Sequence, residues 1–230
     1  MKVTYIHHSG FLAETETCYY LFDYETGTLP KMDSSKPIIV LASHSHHDHY
    51  NPKVFDLLKE MGMQKIQAVL SEDITPPADM ELLCSDAPLR VAPCREYTLF
   101  PGQKLTTYRS TDEGVAFLIE DGEELIYHAG DLNDWVWEGE ESSYNEQMTR
   151  DYRRQIDTLS RKLEGRKLTC AFVVLDPRQE KDYDRGMLYF LNQIKADQVY
   201  PMHYREKSQI ITQFLQEHPQ YKDRILVTER

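Results

Sequence analysis

The chain has 230 residues, of which 40% are hydrophobic, a composition typical of a globular protein with a substantial buried core. Its 26 basic and 38 acidic residues give a formal net charge of −12, which repels a phosphate backbone and argues against nucleic acid as a partner. Because no apolar run approaches the ~20 residues of a membrane span and no signal-peptide segment is visible, we expect a cytoplasmic protein without a membrane partner.

The first part of the chain predicts strands arranged around one helix. Apolar or alternating segments of strand length are KVTYI (2–6), GFLAET (10–15), CYYLFDY (18–24), KPIIVLAS (36–43) and IQAVLS (66–71). Residues 51–62 predict a helix, with Asn51 placed to cap it, Pro52 in its first turn and Gly62 at its exit. The following stretch, 72–90, is rich in Pro, Asp and Glu and is typical of a surface loop.

The rest of the chain predicts a second series of strands and then an alternation of strands and helices. The predicted strands are EYTLF (96–100), QKLTTYRST (103–111), GVAFLIED (114–121), EELIYHAG (123–130), LTCAFVVLDP (168–177), QVYPMH (198–203) and RILVT (224–228), with turns at 101–102 and 121–122. Predicted helices cover 144–165, 185–196 and 207–218. Without a linker or an internal repeat, this order predicts one domain, residues 1–230, with two sheets and helices outside them.

Four of the nine histidines lie in the segment LASHSHHDHY, residues 41–50, directly after an apolar strand. The carboxyl end of a buried strand is a common place for a ligand site. If the strand continues, His44 and His46 point to the same side and can share one metal ion, while Asp48 and His49 face a second ion after the chain turns. Imidazole and carboxylate ligands together suit Zn, Mn or Fe. The spacing therefore favours a metal site over a polar loop.

The pattern His-x-His-x-Asp-His after an apolar strand resembles the signature of the metallo-β-lactamase superfamily. The segments VTYIHHSGFLAE, LFDY, LIYHAGDLND and VYPMHY resemble a branch that contains ascorbate-phosphate lactonase-like proteins and related metal-dependent hydrolases. The resemblance implies an α+β fold, a four-layer αββα sandwich with its metals at one edge between the sheets. It also implies one or two divalent metal ions, with Zn expected first and Mn or Fe as alternatives.

The resemblance implies six metal ligands, which belong to two sites. The implied ligands are His44 and His46 for a first ion, Asp48, His49 and His203 for a second ion, and Asp131 as a bridge between both. Asp131 and His203 each follow an apolar strand, so strand ends can bring them to the same edge. Asp48 is also the candidate catalytic residue, because it could orient the attacking water or take its proton.

One position of the family pattern is not filled in this chain. The family usually supplies a third histidine to the first ion, but no histidine lies between His49 and His128. Three alternatives are open: Asp112 or water fills the position, the first site is weak and a single ion occupies the second, or His8 or His128 substitutes. We favour a first site that is weaker or differently liganded, and we interpret His128 mainly as a group that hydrogen-bonds a ligand.

Residues after the strand CAFVVL are candidates for contacts with a ligand or substrate. Asp176 and Arg178 follow that strand, and Arg178 could clamp a carboxylate or phosphate through its planar guanidinium, or could be a surface arginine. Trp135 and Trp137 could either wall a pocket or cover the core. A small molecule, either neutral or anionic, is therefore the expected partner, and a homo-oligomer stays open.

The ligand set and the resemblance favour a metal-dependent hydrolase. Its metal-activated water would attack a lactone, ester or phosphodiester. Two alternatives stay open, namely an iron-dependent redox enzyme that uses the same ligands and a non-catalytic member of the fold that binds a ligand.

Overall fold

Two mixed β-sheets lie at the centre of the computed structural model, which describes residues 1–99 and 102–227. The first sheet contains, in spatial order, β1 (Lys2–His7), β2 (Gly10–Glu14), β3 (Tyr19–Phe22), β4 (Ile38–Ala42), β5 (Ile66–Ser71) and β6 (Leu89–Val91). The second contains, in spatial order, β12 (Ala196–Met202), β11 (Leu168–Val174), β10 (Glu124–His128), β9 (Val115–Asp121), β8 (Gln103–Arg109) and β7 (Glu96–Thr98). Pairing is antiparallel over β1–β3 and β7–β10, and parallel over β3–β6 and β10–β12.

Five α-helices occur within the described residues. They are α1 (Lys53–Glu60), α2 (Met80–Leu83), α3 (Ser142–Leu163), α4 (Arg185–Gln193) and α5 (Gln209–Glu217). None of these helices combines the length and the apolar character that a membrane span requires.

The strands of the first sheet bury successive side chains on opposite faces, as the period of an extended chain requires. On β2 and β3, Phe11 and Phe22 belong to the larger hydrophobic core, which also contains the side chains of the second sheet. Their neighbours Leu12 and Leu21 belong to a smaller core that includes Phe55 of α1. The first sheet therefore packs against the second sheet on one face and against α1 on the other.

The later helices cover the second sheet. Ile156 of α3, Phe190 of α4 and Phe214 of α5 are buried and belong to the larger core. Helices thus lie outside both sheets, and the sheets pack against each other. The predicted α+β fold, a four-layer αββα sandwich, is confirmed.

The acidic, proline-rich stretch 72–90 is not the plain surface loop that its composition predicted. It contains α2 and the beginning of β6, which pairs in parallel with β5. Buried Met80 and Val91 anchor these two short elements to the core. Elements of three and four residues are too short for apolar periodicity to reveal them, and tertiary packing decides their conformation.

The strand predicted over 224–228 is wrong: residues 224–227, the part that the structure describes, do not form a strand. Ile225 makes only an isolated parallel bridge to Val199, while position 228 lies outside the described residues. Positions 100 and 101, which belong to a predicted strand end and a predicted turn, also lie outside them.

The helix predicted over 51–62 is present, and its start agrees with the prediction. The regular helix begins at Lys53, but Pro52 already has helical backbone angles, with φ −62° and ψ −19°. The Asn51 side chain accepts a hydrogen bond from the Lys53 backbone N at 3.1 Å, which is the bond of an N-terminal cap. Gly62 ends the helix as predicted, with a φ of +81° that a glycine adopts without strain.

Candidate metal centre

Several strands of both sheets end at one edge of the sandwich, and a polar residue follows each of these ends. The residues that follow are His8 after β1, Asp23 after β3, His44 after β4, Asp131 after β10, Asp176 after β11 and His203 after β12. All six side chains are buried. The fold therefore concentrates imidazole and carboxylate groups at the edge where the sequence predicted a metal site.

Two glycines allow the loops of the second sheet to approach the end of β4. At Gly130, φ is +52° and an added Cβ would lie 2.8 Å from the Ser43 Cβ. At Gly114, φ is +68° and an added Cβ would lie 1.9 Å from the Ser43 carbonyl oxygen. Only glycine fits these two positions without displacement of the backbone. The close approach at Gly130 places Asp131 beside the histidine segment that follows β4.

At this edge of the sandwich, the potential metal-binding atoms form two groups, and within each group they lie within 4.8 Å of one another. Group A comprises His44, His46 and Asp131, and group B comprises His8, Asp48, His49 and His203. All six ligands that the resemblance implied are therefore brought together, and His8 joins them. His44 and His46 converge although β4 already ends at Ala42, so the turn after the strand, rather than the strand itself, aims them.

Asp131, a member of group A, also faces group B. Its Oδ1 is 3.1 Å from His49 Nε2 and 3.3 Å from His203 Nε2, and its Oδ2 is 3.6 Å from His44 Nε2. His44 Nε2 is in turn 3.0 Å from His46 Nδ1. One carboxylate thus faces imidazoles of both groups, which is the geometry that a bridging ligand requires.

The donor atoms fit a divalent cation. His49 Nε2, Asp131 Oδ1 and both ring nitrogens of His8 are buried without a hydrogen-bond partner. Buried polar atoms without partners are rare and costly, and a cation is one way to compensate them. Imidazole nitrogens and carboxylate oxygens suit Zn, Mn or Fe. Group B with Asp131 offers the fuller set of donors, and group A offers three.

Further carboxylates hold two of these imidazoles in place. Asp23 Oδ2 is 2.7 Å from His49 Nδ1, and Asp23 accepts two hydrogen bonds from Ser43. Asp176 Oδ2 is 2.9 Å from His203 Nδ1. Each contact occupies Nδ1 and leaves Nε2 directed at Asp131, so the carboxylates fix both the tautomer and the orientation of the ring.

Burial and neighbouring charges shift the pKa values of several side chains of the centre. Burial would raise the pKa of Asp131, but the neighbouring His203 and His49 hold it well below its usual range. Burial would lower the pKa of His49, but Asp131 and Asp23 raise it well above its usual value. Burial, helped by the charge of His49, lowers the pKa of His44 to about 4. In the absence of a metal, His44 therefore favours the neutral ring and His49 the protonated ring.

Asp48, the candidate catalytic residue, has partners from two other segments. His8 Nε2 lies 3.4 Å from Asp48 Oδ2, and Arg205 Nη2 donates a hydrogen bond to the same oxygen at 3.0 Å. The interaction with His8 is the main cause that lowers the pKa of Asp48 far below its usual range. Arg205 was not predicted, because an arginine two residues beyond a strand-end histidine carries no distinctive signal.

His8 and His128 do not provide the third histidine of group A. His8 belongs to group B, where its backbone has a φ of +51° that is uncommon for a side-chain-bearing residue. His128 stacks on Phe22, accepts a hydrogen bond from the Gly130 backbone N at 3.1 Å, and contacts the Ser9 carbonyl oxygen at 2.9 Å. His128 therefore supports the turn that carries Asp131.

The loop after β8 approaches group A without completing it. Asp112 lines a cavity next to Asp131, but it is not among the donors of group A. Its neighbour Glu113, which the sequence interpretation missed, has Oε2 at 3.6 Å from His46 Nε2. Asp23 was also missed, although it shows the signal that identified Asp176, an acidic residue at the end of a buried strand.

A cavity of about 260 Å³ opens beside Asp131. Trp135 and Trp137 both line it, and Trp135 is also buried in the larger core, where its Nε1 donates a hydrogen bond to the Asp131 carbonyl oxygen at 2.8 Å. The two roles considered for the tryptophans therefore coexist. Arg178 lines the same cavity and donates hydrogen bonds from Nε and Nη2 to Asp176.

Two facing sheets with outer helices and a histidine–aspartate cluster at one edge define the class of a metal-dependent hydrolase with the metallo-β-lactamase fold. The family model described as "Beta-lactamase superfamily domain" matches residues 2–141, and the chain belongs to this family. The narrower branch suggested by the sequence stays a prediction.

Solved structures of other proteins show the same fold at low sequence identity. Igni18, a metallo hydrolase from Ignicoccus hospitalis, is similar with a TM-score of 0.61 and 16% identity, over 99% of this chain and 94% of that one. A putative metal-dependent hydrolase from Parabacteroides distasonis gives 0.61 and 13%, over 99% and 92%. CmlA, a diiron beta-hydroxylase from Streptomyces venezuelae, gives 0.61 and 12%, over 98% and 52%. No curated protein matches the chain in sequence.

Proposed function

We propose that this metal-dependent hydrolase cleaves a lactone, ester or phosphodiester with a water molecule as the nucleophile. The observation that supports the proposal most is the position of Asp131, whose two carboxylate oxygens face imidazoles of group A and group B. A divalent cation held there would lower the pKa of water and polarise the substrate oxygen that gains charge.

The residues around the cation position have separate roles in this proposal. Asp48 stays ionised because its pKa is far below neutral, so it accepts a hydrogen bond from the attacking water and orients it. Asp23 and Asp176 keep His49 and His203 directed inward. Arg178 lines the cavity beside Asp131, where its charge would suit a carboxylate or phosphate of the substrate.

We further propose that the two groups bind metal with different strength. Group B supplies four donors besides the bridging Asp131, whereas group A supplies His44 and His46 with Asp131. Zinc is the expected ion because it accepts mixed nitrogen and oxygen ligands, and manganese and iron are the alternatives. Metal analysis of the purified protein should find one tightly held ion, with a second that exchanges readily.

Turnover tests the proposal directly. The protein, loaded with zinc or manganese, is assayed against an aryl ester, a lactone and bis(4-nitrophenyl) phosphate. We expect hydrolysis of at least one of them, and a loss of about 100-fold or more in kcat/KM for Asp131→Asn. His47→Gln is the matched control, because His47 is exposed in the same histidine segment and belongs to neither group. Retained activity in Asp131→Asn would contradict the proposed role of the carboxylate.

An iron-dependent redox function is the second candidate. The similarity of the fold to the diiron protein CmlA supports it, as does a donor set that also suits iron. Stoichiometric iron in protein from unsupplemented cells, together with oxygen consumption and no hydrolysis of any of the three substrates, would favour this candidate over the hydrolase.

A further inference from the structure

The cavity beside Asp131 continues outward into a second one. The outer cavity, of about 600 Å³, lies between the loop after β8 and α3. Thr111, Tyr144 and Met148 line both cavities, so the two form one groove that begins at the metal centre. A groove of this size suits a ligand that extends well beyond the reacting group.

The inner part of the groove has a planar aromatic wall. The rings of Trp135 and Trp137 stack with centroids 5.8 Å apart and an angle of 4° between their planes. The guanidinium of Arg178 lies 6.0 Å from the centre of the Trp137 ring. This guanidinium is paired with Asp176, so the inner part of the groove offers mainly aromatic surface, which favours a planar ring.

The outer part of the groove carries positive charge in an otherwise acidic protein. Arg109 and Arg154 line it, against a single acidic residue, Asp151. Arg154 is 68% exposed and makes an ion pair of 3.4 Å with Asp151, and the Arg109 guanidinium has no hydrogen bond or ion pair within residues 1–99 and 102–227. Arg109 is therefore free to pair with an anion, and Arg154 can do so from an exposed ion pair, while the whole chain has a net charge of −12.

We propose that this groove binds a substrate with a planar ring and a distal anionic group, either a carboxylate or a phosphate. The ring would lie along Trp137, and the distal anion would pair with Arg109 and Arg154, whose guanidinium groups match the planar geometry of such anions. The inference rests on the proposed function only for the reacting end of the substrate, which would lie at Asp131.

The two tryptophans offer a direct readout, because they are the only two in the chain and both line the groove. Fluorescence titration of the zinc-loaded protein compares two pairs of probes, phenylphosphonate with 4-carboxyphenylphosphonate and biphenyl-4-phosphonate with 4′-carboxybiphenyl-4-phosphonate. The two members of each pair share the rings and the phosphonate, so a difference in Kd within a pair reports the distal carboxylate. We expect at least one carboxylated probe to bind about tenfold more tightly than its partner without the carboxylate.

Arginine variants show which side chains cause the preference for the carboxylated probes. Arg109→Gln and Arg154→Gln should each remove most of the tenfold preference. Arg161→Gln, on the same helix but outside the groove, is the matched control for loss of one positive charge and should preserve the preference. The inference is overturned if neither carboxylated probe gains affinity, or if Arg161→Gln reduces the preference as much as Arg154→Gln.

The binding test is independent of turnover. Selective binding of the carboxylated probes by a protein that hydrolyses none of the test substrates would contradict the proposed function and support the groove. Hydrolysis without any preference among the probes would contradict the groove and leave the proposed function intact.

Discussion

At the scale of single residues, the candidate centre depends on carboxylates that do not face the cation position themselves. Asp23 is fully buried and is held by Ser43 through both a backbone and a side-chain hydrogen bond. Its contact with His49 Nδ1 leaves that ring only one nitrogen to direct at Asp131. The orientation of the ligand is therefore built into the end of β3, a strand that supplies none of the predicted ligands.

Asp23→Asn should weaken metal binding. An amide keeps the size of the side chain but removes the charge that stabilises the ring orientation, so we expect metal affinity to fall by about 10- to 100-fold. Competition with a chromogenic chelator measures it. Asp56→Asn, an exposed acidic residue of α1, is the control for loss of one negative charge. Equal affinities in Asp23→Asn and the unmodified protein would contradict this role.

At the scale of elements, the centre depends on how closely loops of the second sheet approach the first. The Val115 backbone N donates to the Ser43 carbonyl oxygen at 3.0 Å, which ties the start of β9 to the end of β4. Gly114, directly before it, has no room for a side chain. A small change at this contact would move the loop that carries Asp112 and Glu113 relative to group A.

Gly114→Ala should destabilise the protein by about 3 kcal/mol, because it combines a backbone overlap with a positive φ. Gly122→Ala is the matched control: its φ is +59°, but an added Cβ meets nothing within 4 Å, so only the conformational cost of about 1 kcal/mol applies. Urea unfolding measures both free energies. Equal losses of stability would show that the overlap relaxes at no cost.

The sequence predicted the elements that are long or strongly apolar, and it missed those that packing alone defines. β4 and β11 are continuous apolar runs, and α3 shows a clear helical period, so all three were predicted. β6 and α2 carry no such pattern within an acidic, proline-rich stretch. These two elements are only three and four residues long, which is too short for a periodic pattern of apolar residues to indicate them.

At the scale of the whole molecule, the acid stability of the metal-free protein should depend on His44. Because burial lowers the folded-state pKa of His44 to about 4, the folded state favours the neutral ring, and the unfolded chain takes up a proton at higher pH. The free energy of unfolding should therefore fall as the pH drops from about 6.5 to 4, by up to about 3 kcal/mol.

Urea unfolding at several pH values, compared between the unmodified protein and His44→Gln, isolates this contribution. Glutamine does not titrate, so the difference between the two curves should change within the window from pH 6.5 to 4 and stay constant above it. Parallel curves throughout that window would mean that His44 titrates normally in the folded protein.

Removal of the metal should lower the thermal stability of the whole fold. A cation that binds the folded state but not the unfolded chain stabilises the protein by about 2.7 kcal/mol at a concentration 100 times its Kd. We expect a chelator to lower Tm by several degrees in the unmodified protein and to have little effect on Asp131→Asn. An unchanged Tm in the unmodified protein would contradict a tightly held ion.

The sequence predicted which residues of the centre share one edge, and the family resemblance implied the division of the six ligands that groups A and B show, but neither placed His8 in group B. The six implied ligands lie together, and their role as metal ligands stays a prediction for the metal analyses. The place of His8 in group B could not be read from the chain, because it follows from the positive φ at the end of β1 and from the spacing of the two sheets. Such distances arise only when both sheets are assembled.

The donors of the centre extend along the polypeptide from His8 to His203, and so include nearly its whole length. During synthesis, a growing chain therefore cannot close the site until the ribosome has produced β12 and released it from the exit tunnel. An ion can therefore meet all the donors of group B only after His203 has left the ribosome, whereas the donors of group A are already complete at Asp131.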